Sequence, residues 1–335
     1  MTRHGATKGI KGVTGVTALR NKYGSFSTVS AGSGGGSSVA VAGYVAGGTT
    51  GLVRISGIDK IAFPGDTKTT LSATLTSARS TIAAFANSGT AGYVAGGDDG
   101  ARISGIEKVS FPADTKTTLS ATLTTARYEA TGFANSGVAG YSAGGYDIGG
   151  FVSGIDKITF PADTKTTLSA TLTSARYAAT GFANSGVAGY SAGGWATPGI
   201  LASNIDKITF PADTKTTLSA TLTVASATHT GFANSGVAGY VAGGNGGSAR
   251  NGIDKITFPA DTKTTLSATL TTAKLYEAGF ANSGVAGYVA GGYDGSGAYS
   301  DIDKIAFPAD TKTTLSATLT SARYGHAGFA DSGTL

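Results

Sequence analysis

Apolar and polar residues alternate along this chain with a period of two, in short runs cut by glycine, proline and small polar residues. In Thr167–Thr173, Leu168, Ala170 and Leu172 alternate with Thr and Ser, the signature of a half-buried strand. Ile155–Phe160 is rich in β-forming residues and stops at Pro161, which cannot donate to a central ladder. Ala162-Asp163-Thr164-Lys165 then reads as a turn into the next strand. Gly181–Ala183 and Val187–Ala192 are two further short strands, joined by Asn184-Ser185-Gly186, residues suited to a tight turn. No segment combines a helical period with caps. The pattern predicts an all-β chain of four-stranded antiparallel meanders.

The meander recurs almost verbatim. The tetrad Gly-Tyr-Val/Ser-Ala begins at Gly43, Gly92, Gly140, Gly189, Gly239 and Gly287, at spacings of 49, 48, 49, 50 and 48. Such self-similarity marks a propeller, solenoid or array. The phase of the copies points to closure. TKTTLSATL and (G/A)FA(N/D)SG also occur six times, but the first unit lacks a GFANSG ahead of it and the chain ends on one, Gly328 to Gly333. That last strand is expected to pair with the strands of residues 39–78, abolishing the edges an open array would expose.

The residues that recur have a familiar arrangement. An Arg ends one strand, an aromatic enters the second, a Gly-Gly pair precedes a variable loop, and a long hairpin follows. In the third unit these are Arg127, Gly140-Tyr141, Gly144-Gly145 and Ile155-Asp156-Lys157-Ile158. Over roughly residues 38–335 this resembles the kelch blade, without the kelch tryptophan, near whose place Leu168 and its equivalents stand. The resemblance implies an all-β, six-bladed kelch-like β-propeller with four-stranded antiparallel blades, its ring closed by the C-terminal strand in the first blade. Residues 1–37 form a separate arm.

Charge separates the same two parts. The arm holds Arg3, Lys8, Lys11, Arg20 and Lys22 and no acid, whereas the remainder carries 20 basic and 20 acidic residues. The formal +5 therefore belongs to a Gly/Ser-rich arm expected to be flexible when free, and nucleic acid is not the expected partner of the body. With no cysteine, neither a disulfide framework nor a Cys-based metal or redox site is available. No run approaches the ~18 apolar residues of a membrane span, and the N-terminus does not read as a secretory signal.

Two stretches differ in every unit, one after the fourth strand and one after Gly-Gly. In an antiparallel meander both connections lie at the same end, so one face should be nearly invariant and the other variable. Aromatics divide the same way. Apart from the repeated positions, Tyr128, Tyr146, Phe151, Tyr177, Trp195, Tyr276, Tyr293, Tyr299 and Tyr324 all fall in or beside the variable stretches. Rigid aromatic anchors among Gly, Ser, Asn and Asp have the composition of a recognition surface. These nine residues are the candidate ligand-binding set, while unconstrained loop drift is the alternative.

Other candidates carry less. Arg79, Arg127, Arg176, Lys274 and Arg323 end the fourth strands, with Ser226 breaking the set; each is expected to pair with a carbonyl or carboxylate of a neighbouring blade. The repeated Asp59-Lys60, and Asp66 with Lys68, read as solvated salt links worth little each. His4, His229 and His326 are scattered, and no nucleophile elbow, metalloprotease or phosphate-loop motif occurs. Asp98-Asp99-Gly100 and Tyr293-Asp294-Gly295 lack the spacing of a calcium loop. The expectation is a non-enzyme without cofactor or metal.

The repeat GFANSGxAGYxAGG…KxxFPxDT is similar to tandem repeats in structural proteins of tailed bacteriophages, particularly those infecting cyanobacteria. The likeness covers the whole repeat body. It implies a virion component, a fibre, tail-tip or capsid-surface protein assembled in the host cytoplasm. Its arm would anchor it to other virion proteins, and its variable face would meet a host-surface glycan or protein. A purely architectural virion part and a cellular kelch-like scaffold are the alternatives.

Overall fold

A computed structural model describes residues 41–197 and 199–331, with the backbone of two three-residue strands, Ala18–Arg20 and Phe26–Thr28. The chain forms two compact units, Met1–Val39 and Ala40–Leu335. In the first, the two short strands pair antiparallel, Ala18 opposite Thr28. Of the arm cations, Arg20 sits in that ladder, whereas Arg3, Lys8, Lys11 and Lys22 lie outside the described residues.

The second unit is a six-bladed β-propeller of four-stranded antiparallel sheets. Blade 1 comprises Ala42–Ala46, Ile58–Ala62 and Thr67–Thr70, with Ala327–Ala330 from the far end of the chain as its innermost strand. The innermost strands of blades 2 to 6 are Ala83–Asn87, Thr131–Asn135, Thr180–Asn184, Thr230–Asn234 and Ala278–Asn282. Closure is as expected: Tyr44 pairs with Phe329 and Gly43 with Ala330. Each innermost strand contacts the next around the axis, and that of blade 1 contacts both blade 6 and blade 2. No helix among the described residues is long and apolar enough to cross a membrane.

The fourth strand is shorter than the alternation implied. In blade 3 it runs Thr164–Thr167, ending where Leu168 begins the alternating stretch. Beyond that, only single bonds return to the blade, Leu168 N to Ile155 O and Leu172 N to Ser153 O at 2.9 Å and Arg176 N to Val152 O at 3.0 Å. Blades 2 and 4 keep a longer strand, Lys116–Thr122 and Thr214–Thr221, by shifting register at a bulge. Leu172 is buried all the same, so the alternation reports burial rather than continuous pairing.

The recurring residues bond one blade to the next. Phe133, Tyr141 and the following blade's Phe210 stack at 5.1–5.2 Å. The glycine before each repeated tyrosine makes room for the previous blade's phenylalanine: a Cβ on Gly189 would lie 2.0 Å from the Phe133 ring, and all six copies are alike. Tyr141 donates to Asp213 Oδ1 at 2.7 Å and Lys157 donates to its Oδ2 at 2.6 Å. This fork also recurs six times and closes the ring, Tyr288 and Lys304 both reaching Asp66. At the turns that join each innermost strand to the next strand of its blade, Asn135 Oδ1 accepts from Gly186 N of the next blade at 2.9 Å.

These contacts overturn one reading. Asp59 and Lys60 do not form a solvated pair, and neither do Asp66 and Lys68. Asp59 is 1% exposed and meets Arg323 at 2.8 Å, with Thr320 N, Thr320 Oγ1 and Thr70 Oγ1 also donating to it. Burial pushes its carboxyl up, but the hydrogen bonds from Thr320 and Thr70 and the Arg323 charge outweigh that and hold it low. Lys60 turns instead to Asp114 of the next blade. Adjacent residues in a strand point to opposite faces, so Asp and Lys side by side cannot share one partner face. The terminal arginines pair across blades as anticipated: Arg79 with Glu107, Arg127 with Asp156 and Arg176 with Asp206.

Candidate functional site

The two variable connections of each blade come together at one end of the disc. Isolated bridges join Tyr128 to Tyr146, Tyr177 to Trp195, Ala227 to Asn245, Leu275 to Tyr293, Thr49 to Tyr324 and Ser80 to Asp98. The Asn- and Ser-linked turns occupy the opposite end. One face is therefore built from repeated residues and the other from residues that differ in every blade.

A collar of backbone hydrogen bonds holds the variable face around the axis. Thr81 N donates to Gly325 O, Gly325 to Tyr276, Tyr276 to Thr228, Thr228 to Ala178, Ala178 to Glu129 and Glu129 to Thr81, all at 2.5–2.9 Å. These six residues have φ between 52° and 63°. Only one is glycine, and two are β-branched threonines, for which left-handed backbone is a true outlier. Such strain persists only where the surroundings over-determine it, and it clusters at binding sites.

The structure gathers seven of the nine candidate aromatics into two ring clusters, with Tyr299 and Trp195 outside them. Tyr128 stacks on Tyr146 at 5.5 Å, Tyr146 meets Phe151 and Tyr177 edge-on, and Phe151 stacks on Tyr177 at 5.1 Å. Arg102 lies over Tyr128 and Tyr146 at 5.5 and 5.1 Å. Across the axis, Tyr324 packs against Tyr276 and Tyr293 at 6.0 and 4.9 Å. Tyr299 donates to Asp294 in the adjoining loop. Trp195 stands in its own small hairpin, Trp195–Thr197 with Ile200–Leu201. All nine are half-buried.

Between the groups, over the axial mouth, runs a groove of about 570 Å³ lined by Tyr128, Tyr276, Tyr293 and Tyr324 with Arg54, Asp98 and Glu129. Arg54 and Asp98 close an ion pair at 2.7 Å between the loops of blades 1 and 2. Glu129 accepts a hydrogen bond from Tyr276 of the opposite blade; burial pushes its carboxyl up to about 7 against that bond. Burial also raises the Tyr128 and Tyr177 hydroxyls, and the Glu129 charge adds to it. At the rim, Leu52 is 99% and Ile148 94% exposed.

No family model matches the chain. No curated protein matches it either.

Several of these residues were not singled out by sequence. Arg54, Arg102 and Glu129 lie in non-repeating loops, and only the fold shows that blades 1, 2 and 3 bring Arg54, Asp98 and Glu129 over one mouth. Asp98 and Asp294 are already occupied: Asp98 accepts from Gly100 N of its own loop and from Arg54 of blade 1, Asp294 from Ser296 N, Gly297 N and Tyr299 of its own loop. No group of three His, Cys, Asp or Glu converges among the described residues.

Below the collar, three neighbouring blades carry titratable groups where blades 2 to 4 have Ile82, Ala130 and Ala179. His229, Glu277 and His326 are buried there, around cavities of about 110 and 90 Å³ along the axis. Each side chain lies against the previous blade's Gly-Gly, His229 at Gly193, Glu277 at Gly243 and His326 at Gly291, so the three do not share one centre. Burial lowers His229 to about 4 and His326 to about 3, and raises Glu277 to about 8. The stability that neutral Glu277 supports is complete below pH 4.5, its unfolded value, and is lost as pH rises through about 8. The histidines act with opposite sign, losing stability as pH falls below 6.5. Glu277→Gln should therefore leave stability at pH 5 nearly unchanged and raise it by on the order of 2–4 kcal/mol at pH 9. Urea unfolding at the two pH values measures this, and an equal effect at both would refute it.

Proposed function

We propose that this protein is a non-enzymatic recognition module of a virion, whose variable propeller face binds a host-surface glycan. The observation that carries the reading is the groove over the axial mouth. Residues that differ in every blade converge there, and four tyrosines line it beside polar and charged groups. Tyrosine offers a large apolar face with a hydroxyl at its edge, which suits sugar rings and their hydroxyls. The virion setting rests on the likeness of the repeats to phage structural proteins and on a basic arm suited to anchoring.

Two results test the reading together. Peptides of this chain should be found by mass spectrometry in purified particles, and the isolated protein should compete with those particles for adsorption to host cells. Absence from particles would remove the virion claim. Presence without competition would favour a purely architectural part, a decoration or joint whose loops bind nothing.

A further inference from the structure

The groove over the axial mouth has a polar floor that its own residues leave half satisfied. Glu129, from blade 3, accepts from the Tyr276 hydroxyl of the opposing blade 6. Its Oε2 is buried and has no hydrogen-bond partner within the protein. Tyr276, Tyr293 and Tyr324 line the same groove, their rings tilted against one another at 41° and 35°. The other two charges lining the groove, Arg54 and Asp98, neutralise each other. The groove thus holds one carboxyl group without a counter-charge, ionised above about pH 7, next to three π systems.

That combination selects a charge type. A buried acceptor without a donor is costly, and an anionic ligand would add repulsion. A neutral hydroxyl supplies a donor but no counter-charge. An ammonium group supplies charge, and it is attracted to the faces of tyrosine rings by about 0.5–2 kcal/mol each. We propose that the groove binds a ligand bearing an ammonium group, seated against the Glu129 side chain and bordered by Tyr276, Tyr293 and Tyr324. On the reading of this face as a recognition surface, from which the inference follows, the ligand is an amino-bearing saccharide or a choline-type head group.

Titrating the full chain with glucosamine and with choline, followed by calorimetry, tests the assignment and separates the two sources. Their neutral counterparts, N-acetylglucosamine and 3,3-dimethylbutanol, serve as controls. At least one cation is expected to bind roughly tenfold or more tightly than its neutral counterpart, a difference of about 1.4 kcal/mol. Glu129→Gln, which keeps an acceptor for Tyr276, should erase that preference. Tyr293→Ala should weaken the cation in a chain that retains Glu129. Choline keeps its charge at every pH, so its affinity reports the floor. Glu129 faces Tyr276, Tyr177 and Tyr128, the last with Arg102 over it. With Glu129 near 7, choline affinity should rise by up to about tenfold from pH 6 to 8, as the ionised fraction does.

Equal binding of cation and neutral counterpart, or a preference that survives Glu129→Gln, would overturn the assignment. Neutral glycans bound by this face with no response to either cation would overturn it too, while leaving the recognition face standing. Cation binding by a protein that neither adsorbs to cells nor binds glycans would support the pocket and remove the recognition reading.

Discussion

A chain ending at His326 is expected to aggregate, or to melt roughly 15 °C or more below the full-length protein. The deletion removes Ala327–Ala330, the innermost strand of blade 1. Tyr44 then loses its stacking partner Phe329 at 5.2 Å, and Gly92 is left facing the space that ring filled. Ala42–Ala46 becomes an unpaired edge, an invitation to pair with other molecules. The fully buried Phe329 alone represents about 1.5–3 kcal/mol, before the strand's hydrogen bonds are counted. Scanning calorimetry with light scattering measures the loss. A truncated chain that stayed monodisperse with an unchanged melting point would mean closure is not what holds the first blade.

Gly189→Ala adds one methyl group and is expected to cost about 3 kcal/mol. Its Cβ would stand 2.0 Å from the Phe133 ring of the preceding blade, and that ring is stacked on Tyr141 and cannot retreat freely. Phe133→Ala alone should cost about 3–5 kcal/mol through the cavity it leaves. In the double variant the new methyl sits in that cavity, so the pair should cost less than the sum by about 1–3 kcal/mol. Gly57 provides the contrast. A Cβ there meets nothing within 4 Å, and Gly57→Ala should be neutral or slightly stabilising. Urea denaturation of the four variants gives the cycle, and strict additivity would contradict the inter-blade packing described here.

Much of the fold was legible because a closed ring imposes one environment six times. The repeated Gly-Tyr, the Phe of GFA and the Phe before Pro could be counted, and the displaced C-terminal GFADSG announced the closure. Partner identity was less legible. Asp59 and Lys60 are neighbours in sequence, yet Asp59 meets an arginine on one adjoining blade and Lys60 an aspartate on the other. Alternation at Leu168 and Leu172 reported which side chains are buried but not where the ladder stops, because a strand can leave its partner and still cover the core.

The variable face was legible as a class of residues and not as a geometry. Tyr128, Tyr146, Phe151 and Tyr177 come together because consecutive blades place them side by side, which the repeat spacing implies. Glu129 and Tyr276 meet because blades 3 and 6 oppose each other across the axis. Nothing in a 147-residue separation signals that contact before the ring is drawn. Arg54 and Asp98 meet because blades 1 and 2 adjoin, and neither recurs in the other units to announce the pair.

The most direct test of the account compares two variants with the wild type on a glycan array and on whole host cells, after circular dichroism shows all three folded. One carries Tyr146→Ala, Trp195→Ala and Tyr293→Ala on the variable face. The other carries Val138→Ala, Val187→Ala and Val237→Ala on the exposed turns of the invariant face. The account expects binding to be lost only in the first. Equal binding by all three, or loss in the second alone, would contradict it.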